Sequence, residues 1–404
     1  MNTKTQKIVV EEILEVIDIP DSAYQSAQDR YDDLEKWLCD KSKSHSAECK
    51  PHVYPQGSFR LGTAVKPLKG DDYDLDLTCK MQEGFSKETH TQKQLKEFLG
   101  RDLDTYRIER HIDEKLEQKH RCWRLCYKDQ IKFHMDIVPC VPAREDIRKL
   151  LRERMLKAGT IESLANQVAQ FAVSITDDRK SAYGVISSDW DISNPEGYAQ
   201  WFENRMKQAG RLLESVVLAE KAAKIEDLPT YKWRTPLQRC IQILKRHRDI
   251  RFEHNRDSKP ISVIITTLAA KAYQGEGTVE EAMQGILLRM PSLVNSQKPR
   301  VPNPVNPSED FADKWPTEEG RRLRLEENFM KWLKWINEDF EILGLSNDVK
   351  YLAENAKSKF GVELNTGDLQ KRMGVAATVS VIGKGLSDQA PKKPVDLRGG
   401  GRLG

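Results

Sequence analysis

Acidic side chains cluster in one short stretch of this sequence, at Asp71, Asp72, Asp74 and Asp76. Polar and apolar residues alternate over residues 72–80, which predicts a β-strand with Asp74 and Asp76 side by side on one face. Two such carboxylates repel each other unless a cation lies between them. The spacing therefore indicates a site for a hard divalent ion, magnesium or manganese, held by carboxylate oxygens.

A second strand pattern, over residues 121–141, supplies a third carboxylate. It predicts a hairpin that turns at Lys128 and Asp129, with His134 and Asp136 on the face opposite the apolar residues. We expect Asp136 to join the other two aspartates across adjacent strands. We expect His134 to support the site or to pack beside it rather than to bind the metal.

A Gly-Ser turn precedes the aspartates, at Gly57 and Ser58. Glycine lets backbone N–H groups approach a phosphate closely, and the serine hydroxyl adds another donor. A Gly-Ser turn, an Asp-x-Asp pair and a distant single aspartate are together typical of nucleotidyl transfer. In that reaction metal ions bridge a triphosphate, lower the pKa of the attacking hydroxyl and offset charge on the leaving pyrophosphate. Asp136 is the best candidate for accepting the hydroxyl proton.

The neighbouring polar residues are expected to have structural roles. Asp71 and Asp72 belong to a KGDD turn and should face water, although Asp72 is also placed to cap the strand. Cys122 and Cys126 should pack in the sheet. The seven cysteines of the chain are odd in number and contain no CxxC pair, so free thiols in a reducing compartment are expected rather than disulfides or a zinc site.

The composition is that of a charged globular protein, with 38% hydrophobic and 31% charged residues. Neither a membrane span nor a signal peptide is recognisable, so we expect a cytoplasmic protein that does not bind a membrane. The net charge of +3 is nearly neutral and gives no reason to expect nucleic acid as a partner.

Helical periodicity and turn residues outline the rest of the chain. Helices are expected at residues 4–17, 22–46, 86–99, 147–156, 197–224, 236–249, 261–274, 279–290, 318–343 and 347–360. The proline-rich residues 294–316 are expected to form an extended surface loop. The predicted fold class is α+β, with a mixed-sheet catalytic lobe and N-terminal bracing helices at residues 1–150, a helical lobe at 151–380 and a flexible tail at 381–404.

Six motifs carry a resemblance to a known family. PQGSFRLGT, DDYDLDL and HMDIVP resemble the polymerase-β-like nucleotidyltransferases. NPEGYAQWFENRM, PLQRCIQILKRHRD and KPISVIITTLAAKAY narrow the resemblance to the CD-NTases, the bacterial relatives of cyclic GMP-AMP synthase and oligoadenylate synthase found in anti-phage operons. Together these similarities span most of residues 20–345, and they imply a bilobed fold with its active site in a central cleft.

The resemblance also implies roles for individual residues. Asp74, Asp76 and Asp136 would bind two magnesium or manganese ions. The remaining candidates would hold the nucleotide, with Gly57 and Ser58 on the donor triphosphate, Lys245 and Ser262 on its phosphates from the helical lobe, and Gln56 touching the nucleotide.

The implied reaction joins two or three NTPs, ATP among them, into a cyclic oligonucleotide and releases pyrophosphate at each step. The sequence has no counterpart of the zinc module of the animal DNA sensor, so double-stranded DNA is not expected as an activator. Base choice, ring size and linkage stay open. The enzyme is either constitutive or controlled by a peptide-sensing regulator.

The last residues, LRGGGRLG, resemble the ends of ubiquitin-like proteins. Conjugation through Gly404 by an E1/E2-like partner and a disordered linker are equally compatible with this tail. Two other functions share the site pattern. A template-independent RNA nucleotidyltransferase of the poly(A) or CCA-adding type would need a broad basic face, which the nearly neutral charge disfavours. A catalytically silent nucleotide-binding protein is disfavoured by the three intact aspartates.

Overall fold

The structure is a computed structural model, and it describes residues 3–128, 131–209 and 234–374. The helices are α1 (Thr3–Ile17), α2 (Asp21–Cys39), α3 (Gly57–Arg60), α4 (Gln92–Glu109), α5 (Glu145–Lys157), α6 (Glu162–Ala169), α7 (Pro195–Ala209), α8 (Pro236–Arg251), α9 (Ser262–Ala272), α10 (Val279–Arg289), α11 (Glu318–Arg322), α12 (Leu325–Ile342), α13 (Val349–Phe360) and α14 (Thr366–Met373). Short 3-10 helices cover His45–Cys49, Arg256–Ser258 and Met290–Leu293.

The strands are β1 (Pro51–Pro55), β2 (Tyr73–Met81), β3 (Glu117–Gln118), β4 (Trp123–Tyr127), β5 (Phe133–Pro142), β6 (Val173–Ile175), β7 (Asp191–Ser193), β8 (Pro302–Asn303) and β9 (Asn306–Asp310). A mixed sheet runs in the order β1-β2-β5-β4-β3, and β6 extends it from β5 and pairs with β7. Strands β2 and β5 are parallel, while their other neighbours are antiparallel. The mixed sheet with a helical region confirms the predicted α+β class.

Two large hydrophobic cores divide the described residues. One lies between the sheet and helices α2 and α4, with Trp37, Leu99 and Met135 among its members. The other joins α1 to the later helices and includes Val10 and Trp332. The first two helices thus pack in different cores, α1 with the helices and α2 on the sheet. Strands β6 and β7 follow residue 150 and still extend the sheet. The boundary predicted at residue 150, between a catalytic lobe and a helical lobe, stays a prediction.

Two predicted helices have different bounds, and local hydrogen bonds explain both. Helix α2 ends at Cys39 because the Asp40 side chain accepts from the backbone N–H and hydroxyl of Ser42, a turn that competes with further helix. The helix expected at residues 86–99 begins at Gln92 instead and runs to Glu109. Thr91 and Gln94 form a capping box that fixes this start.

Two further predictions fail in the second half of the chain. The helix expected at 318–343 is divided, since Arg324 has a left-handed φ of 54° between α11 and α12. The surface loop expected at 294–316 contains the β8–β9 hairpin, whose Asp310 side chain accepts from the backbone N–H groups of Arg300 and Val301.

Part of the predictions lies outside the described residues. This holds for the hairpin turn at Asp129, for the end of the helix expected at 197–224, and for the tail with Gly404. Strands β1, β3, β6 and β7 and helices α3, α6 and α14 were not predicted. Within the described part of the chain, no helix has the length and apolar character needed to cross a bilayer.

Candidate active site

The three aspartates lie on the two central strands of the sheet. In the parallel β2–β5 pair, Asp76 stands opposite Asp136 and Asp74 opposite His134. The alternate residues Leu75 and Leu77 are fully buried in the core. The predicted faces of both strands are therefore confirmed: apolar residues anchor the strands from below, and acidic residues line the upper face.

The carboxylates of Asp74, Asp76 and Asp136 meet at one point. One oxygen from each lies within 4.8 Å of the others, the only group of this kind among the described residues. Burial raises the pKa of Asp74, and the charge of Asp136 raises it further. Burial raises the pKa of Asp76 well above its usual value, with added contributions from Asp74 and Asp136. This crowding of negative charge, built from hard oxygen donors, fits a divalent cation.

The Gly-Ser turn abuts the acidic strand. Gly57 has a φ of +65°, and a Cβ on it would lie 2.2 Å from an Asp76 carboxylate oxygen, so only glycine fits this approach. The N–H of Gln56 donates to the Asp76 carbonyl at 2.8 Å, and the Gln56 side chain accepts from the Thr78 hydroxyl at 3.1 Å. The structure thus brings Gln56, Gly57 and the acidic strand together, with Ser58 the next residue of α3.

Arg124 is a site residue that the sequence reasoning missed. It stands opposite Asp136 in the β4–β5 pair and donates to both carboxylate oxygens, from Nε at 2.6 Å and from Nη2 at 2.7 Å. Its Nη2 also lies 3.9 Å from Asp74. The hydrogen bonds with Asp136 raise the pKa of Arg124. A hairpin turning at Lys128 and Asp129 would have paired Arg124 with Phe133. The observed register is shifted by three residues and pairs Arg124 with Asp136, so the predicted turn could not have found this contact.

The acidic turn before β2 is paired rather than only solvated. His134 Nε2 lies 3.0 Å from an Asp72 oxygen, which puts this histidine beside the triad. Arg256 donates to Asp71 at 2.8 Å. The expectation that Asp71 faces water is confirmed, since Asp71 and Arg256 are both exposed, whereas Asp72 is largely covered by its contact with His134. Cys122 and Cys126 are buried and free, as predicted.

A cleft of about 250 Å³ opens between the sheet and the helices. Ser58, Tyr73 and Asp74 line it from the sheet side, and Arg248 and Lys259 line it from the helical side. The cleft therefore has Asp74 at one wall and two cations at the other, where Asp249 pairs with both of them. This combination suits a ligand that carries phosphates beside a metal site.

The two predicted phosphate contacts of the helical half are both engaged within the protein. Lys245 Nζ donates to the Thr63 carbonyl at 3.2 Å and to its hydroxyl at 3.0 Å. Burial, with the neighbouring Arg248 charge, lowers the pKa of Lys245 to about 7. The Ser262 hydroxyl accepts from Arg248 Nη1 at 2.8 Å. Ser262 is thus tied to a residue of the cleft wall, and Lys245 to the segment that follows α3.

Known proteins resemble this chain both in the catalytic segment and over its length. Residues 51–140, which contain the Gly-Ser turn and all three aspartates, match the family described as cyclic GMP-AMP synthase DncV-like, nucleotidyltransferase domain. A c-di-GMP synthase of Roseivirga ehrenbergii is 25% identical over 409 residues, covering 97% of each chain. A cyclic dinucleotide synthase, CdnG of Bradyrhizobium diazoefficiens, is 25% identical over 328 residues, covering 76% of this chain and 70% of the relative.

Solved structures share the fold. CdnG of Bradyrhizobium diazoefficiens in complex with GTP aligns with a TM-score of 0.60 at 19% identity, over 91% of this chain and 98% of that one. The E. coli CdnC:HORMA-deltaN complex gives a TM-score of 0.55 at 12% identity, over 89% and 98%. Vibrio cholerae DncV in complex with the linear intermediate pppA(3′,5′)pG gives a TM-score of 0.51 at 15% identity. The alignment covers 90% of this chain and 88% of that one.

Proposed function

The chain belongs to the bacterial CD-NTases, and from that premise we propose that it joins GTP and a second nucleotide into a cyclic dinucleotide. It is a nucleotidyltransferase, and cyclic oligonucleotide synthesis is its reaction. GTP and the two-nucleotide ring are the finer part of the proposal. They are supported by relatives named as c-di-GMP and cyclic dinucleotide synthases, and by the bound GTP of the CdnG structure.

The meeting of the three carboxylates beside Gly57 is the observation that carries the catalytic assignment. Asp74, Asp76 and Asp136 would hold magnesium or manganese, with two ions as the family resemblance implies. When bound, such ions offset the charge of a triphosphate and lower the pKa of an attacking hydroxyl.

Asp136 is proposed to accept the proton of the attacking hydroxyl. Both of its oxygens accept from Arg124, which fixes the plane of the carboxylate in the site. Each carboxylate oxygen keeps a second lone pair, so Asp136 can accept a proton while it stays bound to Arg124. Arg124 therefore orients the carboxylate that would accept the proton.

The donor nucleotide is proposed to lie in the cleft between the two halves. Gly57 and Ser58 would bind its triphosphate next to the aspartates. Gln56, whose side chain accepts from the Thr78 hydroxyl, would touch the nucleotide beside them. Lys245 and Ser262 would contribute from the helical side. Lys245 can reach a phosphate only by giving up its hydrogen bonds to Thr63, and the negative charge of the ligand would favour its protonated form.

Incubation of the purified protein with all four NTPs and Mg²⁺ or Mn²⁺ tests the proposal. The products are treated with phosphatase and measured by mass spectrometry. We expect a phosphatase-resistant cyclic dinucleotide that contains guanine. An Asp74→Ala/Asp76→Ala variant should make none. An Asp104→Ala variant, changed at a half-exposed aspartate on α4 outside the site, should match the wild type.

Other products would contradict specific parts of the proposal. Linear, phosphatase-sensitive chains would favour the tailing enzyme that the sequence analysis left open. A cyclic product of three nucleotides, or one without guanine, would overturn the finer substrate assignment and leave the catalytic one in place.

A regulator and a conjugating enzyme are the proposed partners beyond NTPs. The solved CdnC complex contains a HORMA protein, which supports the expectation of a peptide-sensing regulator for this chain. The proposed conjugation through Gly404 by an E1/E2-like enzyme is based on the tail sequence. The proposed anti-phage role is based on the family resemblance. Mass spectrometry of the protein recovered from its native host would reveal a conjugate at Gly404.

A further inference from the structure

Backbone carbonyls of the segment after α3 are bound by side chains from one helix of the other half. We call this segment, residues 61–66, the α3–β2 linker. Donors from α8, and from Arg234 two residues before it, reach five of its carbonyls. The bonds run from Gln238 to Leu61 O at 3.0 Å, Arg234 to Gly62 O at 3.2 Å, Lys245 to Thr63 O at 3.2 Å, Gln242 to Ala64 O at 2.8 Å, and Arg246 to Lys66 O.

The two glutamines are the least expected members of this set. Gln238 and Gln242 are both fully buried, although glutamine is usually exposed. Their amide groups donate to linker carbonyls that belong to neither a helix nor a strand. A buried carbonyl needs a partner, so these side chains fix the linker at defined positions along α8.

The linker passes this constraint to the Gly-Ser turn. Its backbone N–H groups donate back toward α3, from Leu61 to the Gly57 carbonyl at 3.2 Å and from Thr63 to the Ser58 carbonyl at 3.0 Å. A continuous set of hydrogen bonds therefore leads from α8 through the linker to Gly57 and Ser58.

Helix α8 also forms the opposite wall of the cleft. Arg248 and Asp249, near its C-terminal end, line the cleft that Ser58 lines from the sheet side. Ala64 and Lys66 of the linker line the same cleft. A shift of α8 along the linker would therefore change the distance between the two walls and move the turn that faces the ligand.

We infer that Gln238 and Gln242 are positioning residues for the nucleotide, because they hold the Gly57–Ser58 turn in register with the Arg248 wall. This inference rests on the proposed function of the same cleft. Neither glutamine needs to touch the substrate. They act through the linker, so their loss should weaken nucleotide binding more than it slows the chemical step.

The test compares two buried polar residues on the same helix. Gln242→Met keeps the length of the side chain and removes its donor to the linker. His247→Gln is the matched control, since His247 is equally buried on α8 but bonds to Asp339 and Trp332 of the helical core. Steady-state kinetics with GTP and Mg²⁺ give KM and kcat, and calorimetry with GTP and Ca²⁺ gives the Kd. Thermal melting shows the temperature range in which each variant is folded.

We expect Gln242→Met to raise the KM and the Kd for GTP by roughly tenfold with a smaller change in kcat, because small displacements of a binding group cost large factors. His247→Gln should lower the melting temperature without raising KM. Gln238→Met should raise the KM and the Kd in the same way. It replaces Gln242→Met in the test if Gln242→Met does not fold.

Two results would overturn the inference. One is an unchanged KM and Kd in folded Gln238→Met and Gln242→Met. The other is a rise of the same size in His247→Gln. A wild-type protein that binds GTP but makes no cyclic product would contradict the proposed function instead, and the Kd values would still test the role of the glutamines.

Discussion

Two aspartate sites in this molecule have pKa values shifted in opposite directions. At Asp76 burial and two neighbouring carboxylates raise the pKa well above the usual value. At Asp339, in the helical core, burial also favours the neutral form, but hydrogen bonds from His247 and Arg251 outweigh it and lower the pKa to about 2. Lys359 adds another cation 3.4 Å from Asp339.

The difference lies in whether the protein supplies the counter-charge. Asp339 has its cations within the fold, and Trp332 donates to His247 Nδ1, so that the other ring nitrogen donates to Asp339. Within the described part of the chain, Arg124 is the one cation paired with the three carboxylates of the triad. A balanced acid indicates a structural role, and an unbalanced set indicates a place where a ligand brings the missing charge.

Removing a carboxylate from the unbalanced set should have the largest effect on activity. We expect Asp76→Asn to lower kcat/KM by at least about 1,000-fold, because several kcal/mol of charge stabilisation depends on this site. The variant should melt at or above the wild-type temperature, since a repulsive charge is removed. Initial rates of product formation and melting curves check both statements. If Asp76→Asn lost stability as well as activity, Asp76 would have a structural role like that of Asp339, and the comparison would fail.

The same substitution in the balanced set should affect stability instead. Asp339→Asn leaves Arg251 and Lys359 without their carboxylate and should lower the free energy of unfolding by about 3 kcal/mol. At temperatures where the variant is folded, its KM for GTP should equal that of the wild type. Denaturant unfolding and steady-state kinetics measure the two quantities. Loss of activity in fully folded protein would mean that the helical core takes part in the reaction.

Lys245 extends the comparison to a buried cation whose charge depends on pH. Because its pKa is lowered to about 7, the lysine is charged below that pH and loses its proton above it. We expect the KM for GTP to rise by about tenfold between pH 6 and pH 8.5 as this charge is lost. Lys245→Arg should show a flatter profile, because arginine keeps its charge throughout. Identical profiles for the two proteins would place the titrating group elsewhere.

Asp339 and Asp76 should also make the free energy of unfolding depend on pH in different ways, and this effect should be smaller than those above. Asp339 has a depressed pKa, so its contribution is present above the unfolded value near 4 and is lost as pH falls through about 2. Asp76 has a raised pKa, so its protonation favours the folded state as pH falls through that raised value. Asp339→Asn should therefore lose less stability than the wild type between pH 4 and pH 2, as measured by denaturant unfolding. Equal losses would contradict the assignment.

Local sequence patterns predicted the acidic face of the sheet and could not predict what lies across from it. Alternation along two strands is a property of consecutive residues, so the positions of Asp74, Asp76 and Asp136 followed from it. The partners of Asp71 and of the linker carbonyls come from residues more than 170 positions away along the chain. Their side chains have ordinary polar types, and only the tertiary fold shows that Gln238 and Gln242 are buried.

Helix positions were predicted better than helix ends. The helix expected at residues 236–249 is α8, and its Leu237, Ile241 and Leu244 are core residues. The ends depended on single side chains, such as the Asp40 turn and the Thr91 capping box. These features add little to an average over a helical window, although each of them decides where a helix stops or starts.

Binding of Mn²⁺, followed by electron paramagnetic resonance in the presence of GTP, tests most directly whether the unbalanced aspartates form a cation site. We predict saturable Mn²⁺ binding in the wild type and in Asp339→Asn, and its loss in Asp76→Asn. Equal Mn²⁺ binding by all three proteins would contradict the assignment of Asp74, Asp76 and Asp136 as the metal centre.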